Sequence, residues 1–345
     1  MREMKELIKK VVAGQNLTSA EAEKAMDLML SGEATPCQIT AFLTALRIKG
    51  ETEDEILGSV NMMRKKASLI SPKVGNYIDF VGTGGDGTST FNISTTSAMV
   101  TSAAGVPVAK HGNRAASSKS GSTDVLEALG ANIALAPNQV QECVDSVGIG
   151  YMNAQIFHSL MKNVAVPRKE IGIRTIFNIL GPLSNPSGAK AQLIGVFDKN
   201  ILRTFAEVMQ KLGVERALVV CGSDGMDEIT FTGITYAAQI KYGEITEYTI
   251  DPKDYGFEYV KADELKGGDA KQNAEITNNI LNGKEKGAKR NIVLLNAGAA
   301  LYIGGKANSI EEGIAVAKET IDSGKAAAKL QEFVNKSNEL GGAAV

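Results

Sequence analysis

The run 81–96, Val-Gly-Thr-Gly-Gly-Asp-Gly-Thr-Ser-Thr-Phe-Asn-Ile-Ser-Thr-Thr, holds four glycines in the six positions 82–87. An alternating apolar run at 77–81 precedes it and predicts a strand; Ser97, Ala98, Met99 and Val100 follow it and predict a helix. The glycines therefore occupy a strand-to-helix loop. Backbone there can take positive φ, approach a ligand closely and turn N–H groups toward an anion, so phosphate is the ligand class it suits. Gly82, Gly84 and Gly87 also satisfy Gly-x-Gly-x-x-Gly. A dinucleotide site needs an acid about 20 residues on, however, and 102–108 reads Ser-Ala-Ala-Gly-Val-Pro-Val. A nucleotide P-loop fails too, because Thr88 and not Lys follows Gly87. What is left is a loop with one acid, Asp86, and the hydroxyls of Thr88, Ser89, Thr90, Ser94 and Thr95. A sugar phosphate with a metal would use this set, and a flexible connector would share its composition.

The 345 residues suffice for a large core and for two domains. With 43% hydrophobic and 22% charged residues, the chain is not a mainly disordered one. A formal net charge of −2 gives no general attraction to nucleic acid or membrane, so any basic site must be local. Cys37, Cys143 and Cys221 are odd in number and scattered, as expected for reduced thiols acting as small apolar residues in a cytoplasmic protein. No Cys or His cluster has zinc-ligand spacing. No apolar run would span a bilayer, and the opening Met-Arg-Glu-Met-Lys-Glu starts a charged helix and not a signal peptide.

Thr18 with Glu21, Thr35 with Gln38 and Thr52 with Glu55 fit capping boxes, and Pro36 takes the favoured first helical position. Gly32 and Gly50 stand where helix ends want a left-handed residue. Residues 1–72 thus read as a small helical domain. From about Asn76 strands and helices alternate, which implies parallel strands with crossover helices. The segments 106–109, 193–197 and 217–221 read as strands, and 236–241 with 245–250 around Gly243 reads as an antiparallel edge hairpin. A helical stretch at about 158–185 resembles the N-terminal helices in composition and is expected to pack on them. The expected architecture is α/β: the small helical domain plus a larger α/β domain, 73–157 and 186–345, with a mostly parallel central sheet.

A second loop is expected after the strand at 106–109. Lys110, His111, Gly112, Asn113, Arg114, Ala115, Ala116, Ser117, Ser118, Lys119, Ser120, Gly121 and Ser122 contain three fixed cations and no acid before Asp124. Loops after neighbouring parallel strands share one edge, so N–H groups from one and cations from the other would face a single crevice and suit a polyphosphate. Asp227 and Glu228 follow the strand at 217–221, and an adjacent acid pair fits magnesium, which takes one or two protein carboxylates and completes its shell with water and phosphate. On its own such a pair is a common surface turn.

Gly82-Thr-Gly-Gly-Asp86, Lys110-His-Gly-Asn-Arg114, the run 121–130, the run 172–186 and Asp227-Glu228, in this order over nearly the whole chain, resemble the anthranilate phosphoribosyltransferase family. The resemblance implies a homodimer formed through the helical part and magnesium-dependent transfer of phosphoribose from phosphoribosyl pyrophosphate (PRPP) to anthranilate. By position it puts PRPP on Gly82, Gly85, Asp86, Thr90, Asn92, Ile93, Ser94, Thr95, the stretch from Lys110 to Ser118, and Ser122. It puts Mg2+ on Ser94, Asp227 and Glu228, and anthranilate on Gly82, Asn113, His158 and Arg168. Lys110, Asn113 and Arg168 would carry the chemistry. Three positions depart from the family pattern: Ser159 in place of proline, Pro167 before Arg168 in place of an aliphatic residue, and Thr123 in place of alanine. Proline at 167 is of a type that shifts backbone or breaks a helix start. The competing readings are a pyrimidine nucleoside phosphorylase, which is longer and lacks the 110–114 and 227–228 motifs, and a non-catalytic polyanion-binding relative, which the acid pair and net charge oppose.

Overall fold

Threonine side chains start three of the first four helices in a computed structural model that describes residues 2–115 and 119–342. Helix α1 (Arg2–Val12) is followed by α2 (Ser19–Leu30), α3 (Pro36–Lys49) and α4 (Glu53–Lys66). The Glu21, Gln38 and Glu55 N–H groups donate to the Thr18, Thr35 and Thr52 hydroxyls, and each acid or amide side chain reaches back to its threonine N–H. All three boxes are as read, and Gly32 and Gly50 take φ of 77° and 87° just past helix ends.

The remaining elements are β1 (Ile78–Gly82), α5 (Ile93–Ala103), β2 (Val108–Gly112), α6 (Ser122–Ala128), α7 (Pro137–Val147), β3 (Ile149–Asn153), α8 (Ala154–Phe157), α9 (Lys162–Ile171) and α10 (Ile176–Leu183). They continue through β4 (Ala191–Gly195), α11 (Leu202–Lys211), β5 (Arg216–Gly222), β6 (Thr235–Lys241), β7 (Glu244–Ile250), α12 (Ala270–Leu281), α13 (Ala288–Ile303), α14 (Ile310–Asp322) and α15 (Lys325–Leu340). One seven-stranded sheet runs β3-β2-β1-β4-β5-β6-β7; the first five strands pair parallel, and β6 and β7 close the edge antiparallel. The hairpin falls where Gly243 predicts it. Strand β3 is a strand that the sequence reading passed over.

Both sheet faces are covered, so strand residues alternate between two cores. Leu193, Leu218 and Val220 face one core with α5 and α13, while Ile194, Val219 and Cys221 face another. That second core runs on into Met26, Leu43 and Val60 of the first four helices and Val164, Phe177 and Leu180 of α9 and α10. The helical lobe therefore shares its apolar core with one face of the sheet. Among the described residues, no helix is long and apolar enough to cross a membrane.

Candidate active site

From β1 the chain steps to β2 and β3 on one side of the sheet and later to β4 and β5 on the other. In open α/β sheets the crevice beyond the carboxyl ends of strands at such a reversal is where ligands bind. The glycine loop leaves β1 there, 113–121 leaves β2, and the acid pair follows β5. Thr83 N–H donates to Gly195 O at 3.0 Å, tying the glycine loop across the reversal.

Asp227 Oδ2 accepts from Gly84 N–H at 2.5 Å, and Glu228 Oε1 accepts from Ser94 N–H at 3.0 Å in the first turn of α5. The acids reach these positions because two strands end in glycine: a Cβ on Gly82 would collide with Asp227 Oδ2, and one on Gly195 would collide with Asp227 O. Burial raises both carboxyls above their usual range, with Asp86 adding to the rise at Asp227 and Asp227 to that at Glu228. Negative groups held together in this way are relieved by a cation. The donors are all oxygens, including the Ser94 hydroxyl, which is the hard set that Mg2+ takes. Among the described residues no group of three or more His, Cys, Asp or Glu side chains is arranged to hold a metal.

Lys110 and His111 correct the sequence reading. They lie on β2, with Gly112, and not in the loop after it. A charged side chain can occupy a central strand only if its ammonium is met: Lys110 is 3% exposed, and its Nζ donates to Phe80 O and, at 3.3 Å, to Ser94 Oγ. Burial lowers its pKa while Asp79, Glu228 and Asp227 oppose that. The cation is thus fixed from behind, beside the acid pair. His111 N–H donates to Asp79 Oδ1 at 3.1 Å, and burial pushes the Asp79 carboxyl up to about 6. The His111 and His158 rings lie 5.0 Å apart, centre to centre. Burial holds His158 down to about 4 and His111 well below its usual value, so both are neutral imidazoles.

Asn92, at the head of α5, donates through Nδ2 to Ser120 O at 3.3 Å, joining the two phosphate-suited loops. Ser122 Oγ lies 3.2 Å from Asn113 O, to which it donates, and 2.9 Å from the Tyr151 hydroxyl. Thr123, one of the departures, is fully buried with its hydroxyl 2.6 Å from the same Tyr151 oxygen, so the added polar atom is satisfied. Thr88 Oγ1 donates to Asp86 Oδ2 at 2.6 Å, and Thr90 pairs with Lys266 in an isolated bridge. Thr95 Oγ1 is buried with no protein partner. Ile93 is buried at the start of α5. Gly85 O accepts from the Arg174 guanidinium, whose central carbon lies 4.0 Å from the Phe197 ring centre.

Two residues do not join this cluster directly. The Arg114 guanidinium is engaged by Asp124 at 2.8 Å and Glu127 at 2.6 Å, and Ala115 N–H donates to Asp124 Oδ2 at 3.0 Å. Arg168 lies over the Phe177 ring at 4.8 Å, and burial lowers its pKa. Pro167 does not break the helix: it sits within α9, which runs on to Ile171 and ends at Gly172 in the left-handed conformation. Ser159 is exposed at the start of a short 3-10 turn. Ala116, Ser117 and Ser118 lie outside the described residues. Tyr151, Arg174 and Asn273 were not anticipated as part of this site, and only the glycine pair Gly267-Gly268 shortly before Asn273 could have drawn attention to the last.

Comparison with known proteins agrees with this geometry. Residues 5–67 match the family model of the glycosyl transferase family helical bundle domain, and residues 74–327 match that of the glycosyl transferase family a/b domain. Anthranilate phosphoribosyltransferase of Acetivibrio thermocellus is 56% identical over 98% of this chain and 97% of its own length; that of Moorella thermoacetica is 51% identical over 96% and 97%. The crystal structure of anthranilate phosphoribosyltransferase from Thermus thermophilus superposes with a TM-score of 0.91 at 40% identity, over 96% of this chain and 99% of that one. The Saccharomyces cerevisiae enzyme in complex with PRPP and Mg superposes with a TM-score of 0.90 at 26% identity, over 97% and 98%. Relatives 56% and 51% identical over nearly the whole chain, together with the matched helical bundle and a/b domains and the five sequence motifs, place this chain in the anthranilate phosphoribosyltransferase family.

Proposed function

We propose that the protein transfers the phosphoribosyl group of PRPP to the amine of anthranilate, giving N-(5-phosphoribosyl)anthranilate and pyrophosphate, a step of tryptophan biosynthesis. The observation that carries this reading is the convergence of the glycine loop, Lys110 and the Asp227-Glu228 pair at one reversal of the sheet, in a chain 56% identical to a named enzyme of this activity. Breaking the bond from the ribose C1 to pyrophosphate builds positive character on the sugar and negative charge on the leaving group. Lys110 and the N–H groups of the glycine loop and the α5 N-terminus would stabilise that negative charge, and such preorganised stabilisation is often the largest catalytic term. Bound by Ser94, Asp227 and Glu228, Mg2+ would neutralise charge on the diphosphate.

Gly82, Gly85, Asp86, Thr90, Asn92 to Thr95 and the stretch after β2 form the proposed PRPP site. Anthranilate would meet Asn113, His158 and Arg168, whose guanidinium suits a carboxylate. The anthranilate amine is neutral at pH 7, so holding it in line with C1 can replace a strong base, which agrees with a site whose two histidines are both kept neutral and buried. A homodimer through the helical lobe is supported by the exposed apolar side chains Val12, Ile48 and Val166 on α1, α3 and α9, and three free cysteines support a cytoplasmic setting.

The test is a fluorescence assay of anthranilate loss with PRPP, with and without Mg2+. Metal-dependent consumption is the expected result, and no consumption at any magnesium concentration refutes the reading. Replacing Asp227 and Glu228 together by Ala should remove activity and the magnesium response, and a fully active double variant would take the pair out of the site.

A further inference from the structure

Helix α12 lies outside the crevice, yet it presents two polar side chains one turn apart to α5. Asn273, 1% exposed, donates through Nδ2 to Asn92 Oδ1 at 3.0 Å, and Thr277 Oγ1 lies 2.9 Å from Thr96 Oγ1. Polar groups in a buried helix contact are costly unless paired, so this double pairing sets how α12 registers on α5. The two pairs differ in what lies beyond them. Thr96, one turn on from Asn92, donates through Oγ1 to Asn92 O at 3.0 Å, a backbone bond within the helix that stays when Thr277 is replaced. Asn92 stands at the head of α5, and its other side-chain atom donates to Ser120 O in the loop after β2.

Asn273 also reaches the glycine loop by a second route. Its Oδ1 accepts from Gly268 N–H at 2.8 Å, which fixes the segment 265–268. That segment straps the end of the glycine loop: Phe91 N–H donates to Leu265 O at 3.3 Å and Gly267 N–H to Ser89 O at 3.0 Å. The approach is close enough to require glycine, since a Cβ on Gly267 would lie 2.7 Å from the Phe91 backbone. Ser89, held by this strap, has a φ of 56°, a conformation a non-glycine residue keeps only under external restraint.

We propose that Asn273 is a positioning residue for PRPP: it sets the side chain of Asn92 and the strap over Ser89 at once, and so fixes the glycine loop relative to the loop after β2. This rests on the assignment of those loops to PRPP made above. It acts through Asn92 and touches no reacting atom.

Steady-state kinetics on the intact enzyme with both substrates and Mg2+ test it. Asn273→Asp keeps an oxygen for Gly268 N–H but sets a second oxygen against Asn92 Oδ1. Its KM for PRPP should rise by about tenfold, while KM for anthranilate stays within about twofold. Asn273→Ser, too short to reach Asn92, should show the same split. Thr277→Val removes the neighbouring pair alone and should lower the melting temperature with both KM values unmoved. Unchanged PRPP kinetics in both Asn273 variants, a parallel rise in both KM values, or the same PRPP defect in Thr277→Val overturns the proposal, as does loss of folding in both Asn273 variants. Wild-type enzyme in the same assay separates the levels: an inactive wild type refutes the reaction and this role together, whereas an active wild type with unmoved variants refutes only the role of Asn273.

Discussion

Lys110 is a buried cation and Arg168 a half-buried one, and their surroundings suit them to different work. The Lys110 ammonium faces a backbone carbonyl, the Ser94 hydroxyl and the acid pair, so its charge lies on the side of the crevice proposed for phosphate. Arg168 lies on an aromatic face, with burial alone lowering its pKa, and such a guanidinium gains most from a planar carboxylate. Arg168→Ala should therefore raise KM for anthranilate on the order of 30-fold while leaving that for PRPP nearly unchanged, the loss expected for a charged hydrogen bond. Initial rates with each substrate varied in turn check this, and equal effects on both would remove Arg168 from the acceptor site. At this scale the sequence shows residue types in motifs but not their partners. Arg114 reads as a free phosphate ligand until Asp124 and Glu127, ten and thirteen positions later, are seen to hold it. Asn273 carries no charge and belongs to no motif with a known mechanism, so its link to Asn92, 181 residues away, is a product of folding alone.

At the scale of elements, local rules and tertiary rules part company. The capping boxes were legible because all their determinants lie within three residues. Strand β2 was placed too early, at 106–109, because lysine, histidine and glycine break an apolar run; in the fold Asp79, Phe80 and Ser94 compensate them and the strand continues to Gly112. One cap also has a tertiary duty. Glu55, 1% exposed, accepts from Thr52 N–H at 2.8 Å, from Leu17 N–H at 2.9 Å and from Lys49 Nζ at 2.9 Å, joining α4 to the end of α3 and to the loop before α2. Removing one member of a buried ion pair leaves the other uncompensated. Glu55→Ala should cost roughly 3 kcal/mol in chemical denaturation, with the Michaelis constants unchanged because none of its partners lies in the crevice. A loss no larger than that of Thr18→Ala, a cap whose acid is only half-buried, would show that the buried bonds add nothing.

For the whole molecule, alternation of strands and helices revealed a mostly parallel sheet, but not that β1 would stand at the reversal of strand order, which depends on how crossovers pack and which makes the crevice. The chain between β3 and β4 sets His158, just after α8, beside His111 of β2, with backbone of Gly181 and Ser184 accepting from the rings. The Lys110 charge opposes protonation of His111, and Asp79 meets the His111 backbone N–H. Unfolding returns His158 from about 4 to its ordinary value near 6.5, so between these values the unfolded chain binds the extra proton and stability falls as pH falls. Its share is fully present above 6.5, and about 2 kcal/mol of it is gone by pH 5. Asp79 and the acid pair, all raised by burial, work in the opposite sense over the same range, which would hide the histidine in a single melting curve. A difference removes them. The gap in unfolding free energy between wild type and His158→Gln should shift against the wild type by about 2 kcal/mol from pH 7 to pH 5, and a gap independent of pH would mean that His158 is charged or solvated in the folded protein.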